Sequence, residues 1–348
     1  MMWMTCALLM GQVACSGGGD SADSMTPTAD AAMDVGALDV GALDEGVMAD
    51  AAPGGDAEIA PDDAGTGVDG GRVYPEPTFG LTRYTLEHGG LTREYLVYVP
   101  ESYSADTATP VVFNFHGNGG SADNYFRSAD LRSVADAENV ILVYPQGSVL
   151  DGEGSHWNPL LDSELNKSDA DDFGFVSAML DWLGAQLNVD TRRVYATGYS
   201  NGAGMVYGLA CYLSARIAAF APVSGSMYIE MRDTCNPVHP SSIAVFNGTR
   251  DGIRPYEGYP GFLLPVEDAV AFWTGHNQIS DPPVTESFST NGLTVERSTY
   301  SGGAGGAGVA LYKVVGGDHV WFDINIEGAD QGRIIWDFVS RYDLDGLR

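Results

Sequence analysis

The 348 residues carry 47 acidic against 17 basic side chains, a formal net charge of −30. That balance excludes partners that need clustered cations, namely nucleic acid and anionic lipid surfaces. The length suits one α/β domain of roughly 250 to 300 residues with a tail, and 44% apolar residues supply a core of ordinary proportion.

The first fourteen residues hold a short apolar stretch ending in Val13-Ala14-Cys15, which reads as an export signal too short to span a membrane. Cys15 resembles a bacterial lipoprotein processing site, where the Cys is lipidated and becomes the first mature residue. Gln12 stands where such sites usually carry Leu, and no Lys or Arg precedes the apolar run, so a plain secretory signal is the alternative. Residues 16–72 are rich in Ala, Asp and Gly and include the imperfect repeat Asp34-Val35-Gly36-Ala37-Leu38 and Asp39-Val40-Gly41-Ala42-Leu43. Thirteen acidic residues and no Lys or Arg fall between Ser16 and Gly71. So apolar-poor and like-charged a stretch reads as a disordered spacer, and it lacks the Gly-Gly-x-Gly-x-Asp pattern of calcium-binding repeats.

From residue 73 onward, strand and helix patterns alternate. Strand-like runs occupy 91–100 (Tyr95, Val97 and Val99 on one face), 110–115, 139–144 and 193–197. Between the last two lies 171–187, where Phe175, Met179, Trp182 and Leu183 recur at helical spacing. Further strands are expected over 242–246, 293–300 and 309–315, with a closing helix over about 329–342. The alternation implies an α/β fold, a mainly parallel sheet covered by helices on both faces, spanning 73–348.

The chemistry begins where 193–197 runs through Gly198-Tyr199-Ser200-Asn201-Gly202 into a helix-like stretch, 204–209. A Ser on so tight a strand-to-helix turn needs small residues two before and two after it, and it gains the helix N-terminus behind its hydroxyl. In a chain with 45 glycines the pattern alone says little. Its weight comes from Asp251 and His319, each on a Gly-flanked loop after a later strand, in the order nucleophile, acid, base. Asp318 and Asp323 are rival acids. The backbone N–H of Asn201 and a second N–H from His116-Gly117-Asn118-Gly119-Gly120, assigned to Asn118, would hold a developing oxyanion. His116 reads as a structural loop residue, and Asp172 as a helix N-terminal or supporting one.

Together, Phe115-His116-Gly117, Asp171-Asp172-Phe173-Gly174-Phe175-Val176, the run 193–202, Gly248-Thr249-Arg250-Asp251 with Pro255-Tyr256, and Gly316-Gly317-Asp318-His319-Val320-Trp321 resemble the polyhydroxybutyrate depolymerase and feruloyl esterase group of α/β-hydrolases. The resemblance covers about 92–341. It implies Ser200, Asp251 and His319 as the triad of a carboxylic ester hydrolase, acting on feruloyl, acetyl or hydroxyalkanoate esters, and Trp157 as a wall of the substrate pocket. Asp318 departs from the usual Gly, and Phe322 from a common Pro. A binding protein that kept the fold without activity is the contrasting reading.

With Cys6 in the signal and Cys15 lipidated, Cys211 and Cys235 remain, either as a disulfide or as two buried thiols. No Cys and His spacing suits a metal, and no dinucleotide or Walker fingerprint occurs, so no cofactor is expected. The expected partner is an ester substrate, polysaccharide- or polyester-derived, met outside the cell or at its envelope.

Overall fold

The computed structural model describes residues 67–69, 72–152 and 154–348. The export signal, Cys15 and nearly all of the spacer lie outside the described residues. A short ribbon pairs Gly67–Asp69 with Arg72–Tyr74.

The main sheet has ten strands: β1 (Gly80–His88), β2 (Leu91–Val99), β3 (Thr109–Phe115), β4 (Ile141–Pro145), β5 (Val189–Tyr199), β6 (Ala219–Val223), β7 (Ser242–Gly248), β8 (Val284–Thr290), β9 (Leu293–Tyr300) and β10 (Val309–Val315). Their order is β8-β9-β10-β7-β6-β5-β3-β4-β2-β1. The six central strands, β4, β3, β5, β6, β7 and β10, run parallel. An antiparallel pair closes each edge, β1 with β2 and β8 with β9. The Gly89-Gly90 turn of the first hairpin has φ of 59° and 77°, backbone that L side chains rarely adopt.

Strand periodicity of two splits the core. Tyr95, Val97, Phe113 and Phe115 face one side with α3 (Asp172–Gln186), α4 (Asn201–Tyr212) and α5 (Val266–His276). Leu96, Val112, Leu142, Tyr144 and Phe246 face the other with α1 (Ala122–Ser128), α2 (Arg132–Glu138) and α6 (Gln331–Val339). Helices on both faces require strands that are apolar throughout, and β3, β4, β6 and β7 are buried at every position.

The sequence reading lacked β6, whose Pro222 argues against an internal strand. The chain accommodates that proline locally: the β6 to β7 register pairs Ala219, Phe220 and Val223 and skips Ala221 and Pro222. It also lacked β1, β8, α1, α2 and α5, and the closing helix is shorter than expected, ending at Val339.

Candidate active site

Ser200 sits between the end of β5 and the start of α4 with φ 56° and ψ −114°, a left-handed conformation unusual for a residue with a side chain. Its neighbours explain how so tight a turn closes. A Cβ on Gly202 would stand 2.2 Å from Phe115 O and 2.6 Å from His116 O, and one on Gly198 would stand 2.7 Å from Gly202 O. These contacts are with backbone, which cannot step aside.

Asp251 follows β7 and His319 follows β10, so all three groups stand at the carboxyl ends of parallel strands. His319 Nε2 lies 2.8 Å from Ser200 Oγ, and His319 Nδ1 lies 2.7 Å from Asp251 Oδ2. With Asp251 accepting at Nδ1, the ring carries its proton there and offers Nε2 to the hydroxyl. The other carboxylate oxygen of Asp251 accepts from the amides of Ile253 at 2.9 Å and Arg254 at 2.7 Å. The Asp251 side chain is fully buried, whereas that of His319 is 10% exposed.

Tyr199 and Ser224 hold the histidine loop. Tyr199 Oη donates to His319 O at 2.8 Å, and Ser224 Oγ donates to Val320 O at 2.6 Å. Burial and then the Asp251 carboxylate push the Tyr199 phenol up to about 12, so it remains a donor. The sequence reading missed both residues. Ser224 follows the strand that Pro222 obscured, and Tyr199 lay in plain view inside the motif.

The loop after β3 packs against the elbow because Gly117 has no side chain; a Cβ there would lie 2.9 Å from Tyr199 Cδ1 and 3.3 Å from Ser200 Cβ. The Gly119 amide donates to Ser155 O and that of Gly120 to Gly117 O. Among the described residues the Asn118 amide takes no protein acceptor, and Asn201, first in α4, has no intrahelical acceptor for its N–H. On the far flank of this loop is an open groove of about 640 Å³, lined by Gly119, Gly120, Arg83, Arg93, Glu94 and Ser148 among others, with Ser200 not among its lining residues.

His116 is fully buried. The Gly147 amide donates to its Nε2 at 2.9 Å, so Nδ1 bears the proton and donates to Gly117 O at 2.7 Å. Burial lowers its pKa to about 4, and the ring is neutral.

The expectation that Trp157 walls a substrate pocket is corrected. Trp157 is 1% exposed and packs edge-on against Phe115. Its Nε1 donates to His116 O at 2.9 Å, its amide donates to Asn201 Oδ1 at 2.7 Å, and its carbonyl accepts from Asn201 Nδ2 at 3.2 Å. It ties the loop after β3 to the residue beside Ser200 instead of facing a ligand.

Asp172 opens α3. It is buried, pairs with Arg93 at 2.7 Å and accepts the Asn158 amide at 2.7 Å, and burial raises its carboxyl above the usual range despite the guanidinium. Asp318 is turned outward to Arg250, with both side chains well exposed. Asp323 is exposed too, and its carbonyl accepts from Asn291. Cys211 and Cys235 form a disulfide, with S–S 2.04 Å, that ties α4 to the short helix Met231–Thr234.

Residues 93–254 match the family described as esterase PHB depolymerase. Feruloyl esterase B of Piromyces equi is 28% identical over 264 residues, 72% of this chain and 46% of that protein. A bifunctional acetylxylan esterase/xylanase of Neocallimastix patriciarum is 28% identical over 269 residues, 76% of this chain and 36% of that protein. The chain thus spans less than half the length of either relative. Among solved structures, an acetyl xylan esterase from Aspergillus awamori superposes with a TM-score of 0.56 at 15% identity, over 75% of this chain and 99% of the other. The feruloyl esterase module from Clostridium thermocellum does so with a TM-score of 0.50 at 12% identity, over 74% and 86%. The fold is that of the α/β-hydrolases, and residues 93–254 are similar to the polyhydroxybutyrate depolymerase esterases.

Proposed function

We propose that the chain is a serine carboxylic ester hydrolase working through an acyl-enzyme, with Ser200 as nucleophile, His319 as general base and Asp251 as its orienting acid. The observation that carries this reading is the unbroken line from Ser200 Oγ through His319 to Asp251, at 2.8 and 2.7 Å, on an elbow held at φ 56°. His319 Nε2 takes the hydroxyl proton as Oγ bonds to the ester carbonyl carbon. The amides of Asn201 and Asn118 receive the oxyanion. The imidazolium returns its proton to the departing alcohol as the C–O bond breaks, and water repeats the sequence to release the acid. Asp251, anchored by two amides, keeps the ring in register and balances its charge.

Feruloyl or acetyl esters of plant polysaccharide are the favoured substrates, since two relatives are named for such activities; hydroxyalkanoate esters are the alternative. Export, with Cys15 as a lipid anchor at the end of an acidic spacer, completes the reading. It is supported by Val13-Ala14-Cys15 and by the charge of residues 16–71.

Turnover of short-chain nitrophenyl esters by the wild type and by Ser200→Ala tests the chemistry. A loss of about five to six orders of magnitude is expected, and equal rates overturn it in favour of a binding protein. Methyl ferulate, acetylated xylan and hydroxybutyrate oligomers compared side by side rank the substrates. Cys15→Ser should release the protein from membranes, and an unchanged membrane fraction overturns the anchor.

A further inference from the structure

In a chain with 47 acidic and 17 basic residues, a cation is normally claimed by a carboxylate. Around the site this holds for Arg93 with Asp172 and Arg250 with Asp318. Arg254 differs. It is half-buried, three residues past Asp251, and no carboxylate pairs with it among the described residues. Its amide is fixed to Asp251, while its guanidinium lies over the rings of Tyr228, 5.6 Å away, and Phe262, 5.8 Å away. Its Nη1 donates to Tyr228 Oη at 3.3 Å. A guanidinium has five N–H donors in a planar fork, so most of its capacity is unspent.

A chain of contacts through Tyr228 links this cation to the nucleophile's backbone. The Tyr228 ring rests on Gly204, where a Cβ would be 2.7 Å from a ring carbon, and the Gly204 amide donates to Ser200 O at 3.1 Å. Two chain segments, 226–229 and 259–264, knit the surroundings: Ile229 N donates to Phe262 O, Leu264 N to Met227 O, Tyr259 N to Leu263 O and Ser226 Oγ to Leu264 O. The Cys211–Cys235 bridge fixes the same segment to α4. The nearby acids leave Arg254 uncompensated: Asp251 is committed to His319 and two amides, Asp318 to Arg250, and Glu257 is exposed.

A guanidinium with no carboxylate partner among the described residues, set on an aromatic floor that packs on the nucleophile's helix, is built to receive a carboxylate. We infer that Arg254 is a specificity-determining residue that binds a carboxylate carried by the ester, so that monoanionic esters are preferred over neutral ones. The inference rests on Ser200 being an esterase nucleophile. In a molecule of such negative charge the long-range field repels this substrate, and local recognition must supply the preference.

The test is kcat/KM for matched ester pairs in the wild type, Arg254→Gln and Arg254→Lys. Para-nitrophenyl acetate against mono-para-nitrophenyl succinate places the carboxylate on the acyl side, and phenyl acetate against para-acetoxybenzoate places it on the alcohol side. In one pair the charged-to-neutral ratio should fall about 10- to 100-fold in Arg254→Gln, mainly through KM, with Arg254→Lys between and the preference shrinking at high ionic strength. Ratios that do not move in either pair, while the neutral esters are still hydrolysed, overturn the assignment and leave the esterase reading intact. A wild type inert on every ester overturns the esterase reading instead. The contact is then decided by calorimetric binding of the succinate monoester to Ser200→Ala with and without Arg254→Gln, where equal Kd values refute it.

Discussion

Ser200, Asn201 and Trp157 show how single side chains are spent around one reactive atom. Ser200 holds a backbone conformation that costs of order 1 to 3 kcal/mol, and the packing on Gly198 and Gly202 enforces it. Asn201 uses its amide as a prospective oxyanion donor and its side chain to clasp Trp157. Replacing Trp157 by Phe keeps the ring packing but leaves His116 O without its donor at 2.9 Å. A buried acceptor so stranded costs about 1 to 3 kcal/mol. The variant should therefore lose that much stability in urea unfolding and show a lower kcat with little change in KM. A pocket wall would move KM instead, so the kinetic split separates the two roles. The three candidate catalytic residues could be picked out of the sequence because each follows a strand and is flanked by small residues. Trp157 misled because a loop tryptophan looks the same in sequence whether it faces solvent or core.

Among the elements, α4 carries the most constraint. Gly202→Ala would drive a Cβ into the carbonyls of Phe115 and His116. The expected result is loss of several kcal/mol or failure to fold, read from Tm and soluble yield. Gly184 lies inside α3, and a Cβ added there would meet nothing within 4 Å. Gly184→Ala should raise stability by about 0.5 to 1 kcal/mol with unchanged turnover. The Cys211–Cys235 link closes a separation of 24 residues, for which loop-closure entropy gives about 3 to 4 kcal/mol. Reductant should lower the urea midpoint accordingly, and an unmoved midpoint would refute that contribution. Apart from β6, the parallel strands were legible as apolar runs, since both faces are covered. The edge strand β8, largely exposed, and the short helices α1 and α2 carry too little periodicity to stand out from loops. The aromatic surroundings of Arg254 were invisible for another reason: Tyr228 and Phe262 meet only through the pairing of two separate segments, 226–229 and 262–264.

The whole molecule inherits an acid limit from one buried ring. His116 has a folded pKa of about 4 against an ordinary value of 6.5. Its folded form excludes the proton that the unfolded chain accepts, so the stabilisation is complete above pH 6.5 and is lost as pH falls from there towards 4. The loss amounts to about 3 kcal/mol over that window. Unfolding free energy measured across it should decline in the wild type and decline less in His116→Asn compared with its own neutral-pH value; parallel curves would contradict the assignment.

The long sequence separation between Ser200 and His319 sets the timetable of synthesis. The two groups that share one proton are 119 residues apart in the chain, and β10, which delivers the histidine, is the last strand to enter the main sheet. During translation, the proposed nucleophile is made long before its proposed base exists. On the proposed mechanism, a nascent chain stopping short of β10 carries an inert serine, and hydrolytic power would be acquired in one step, once His319 has been made.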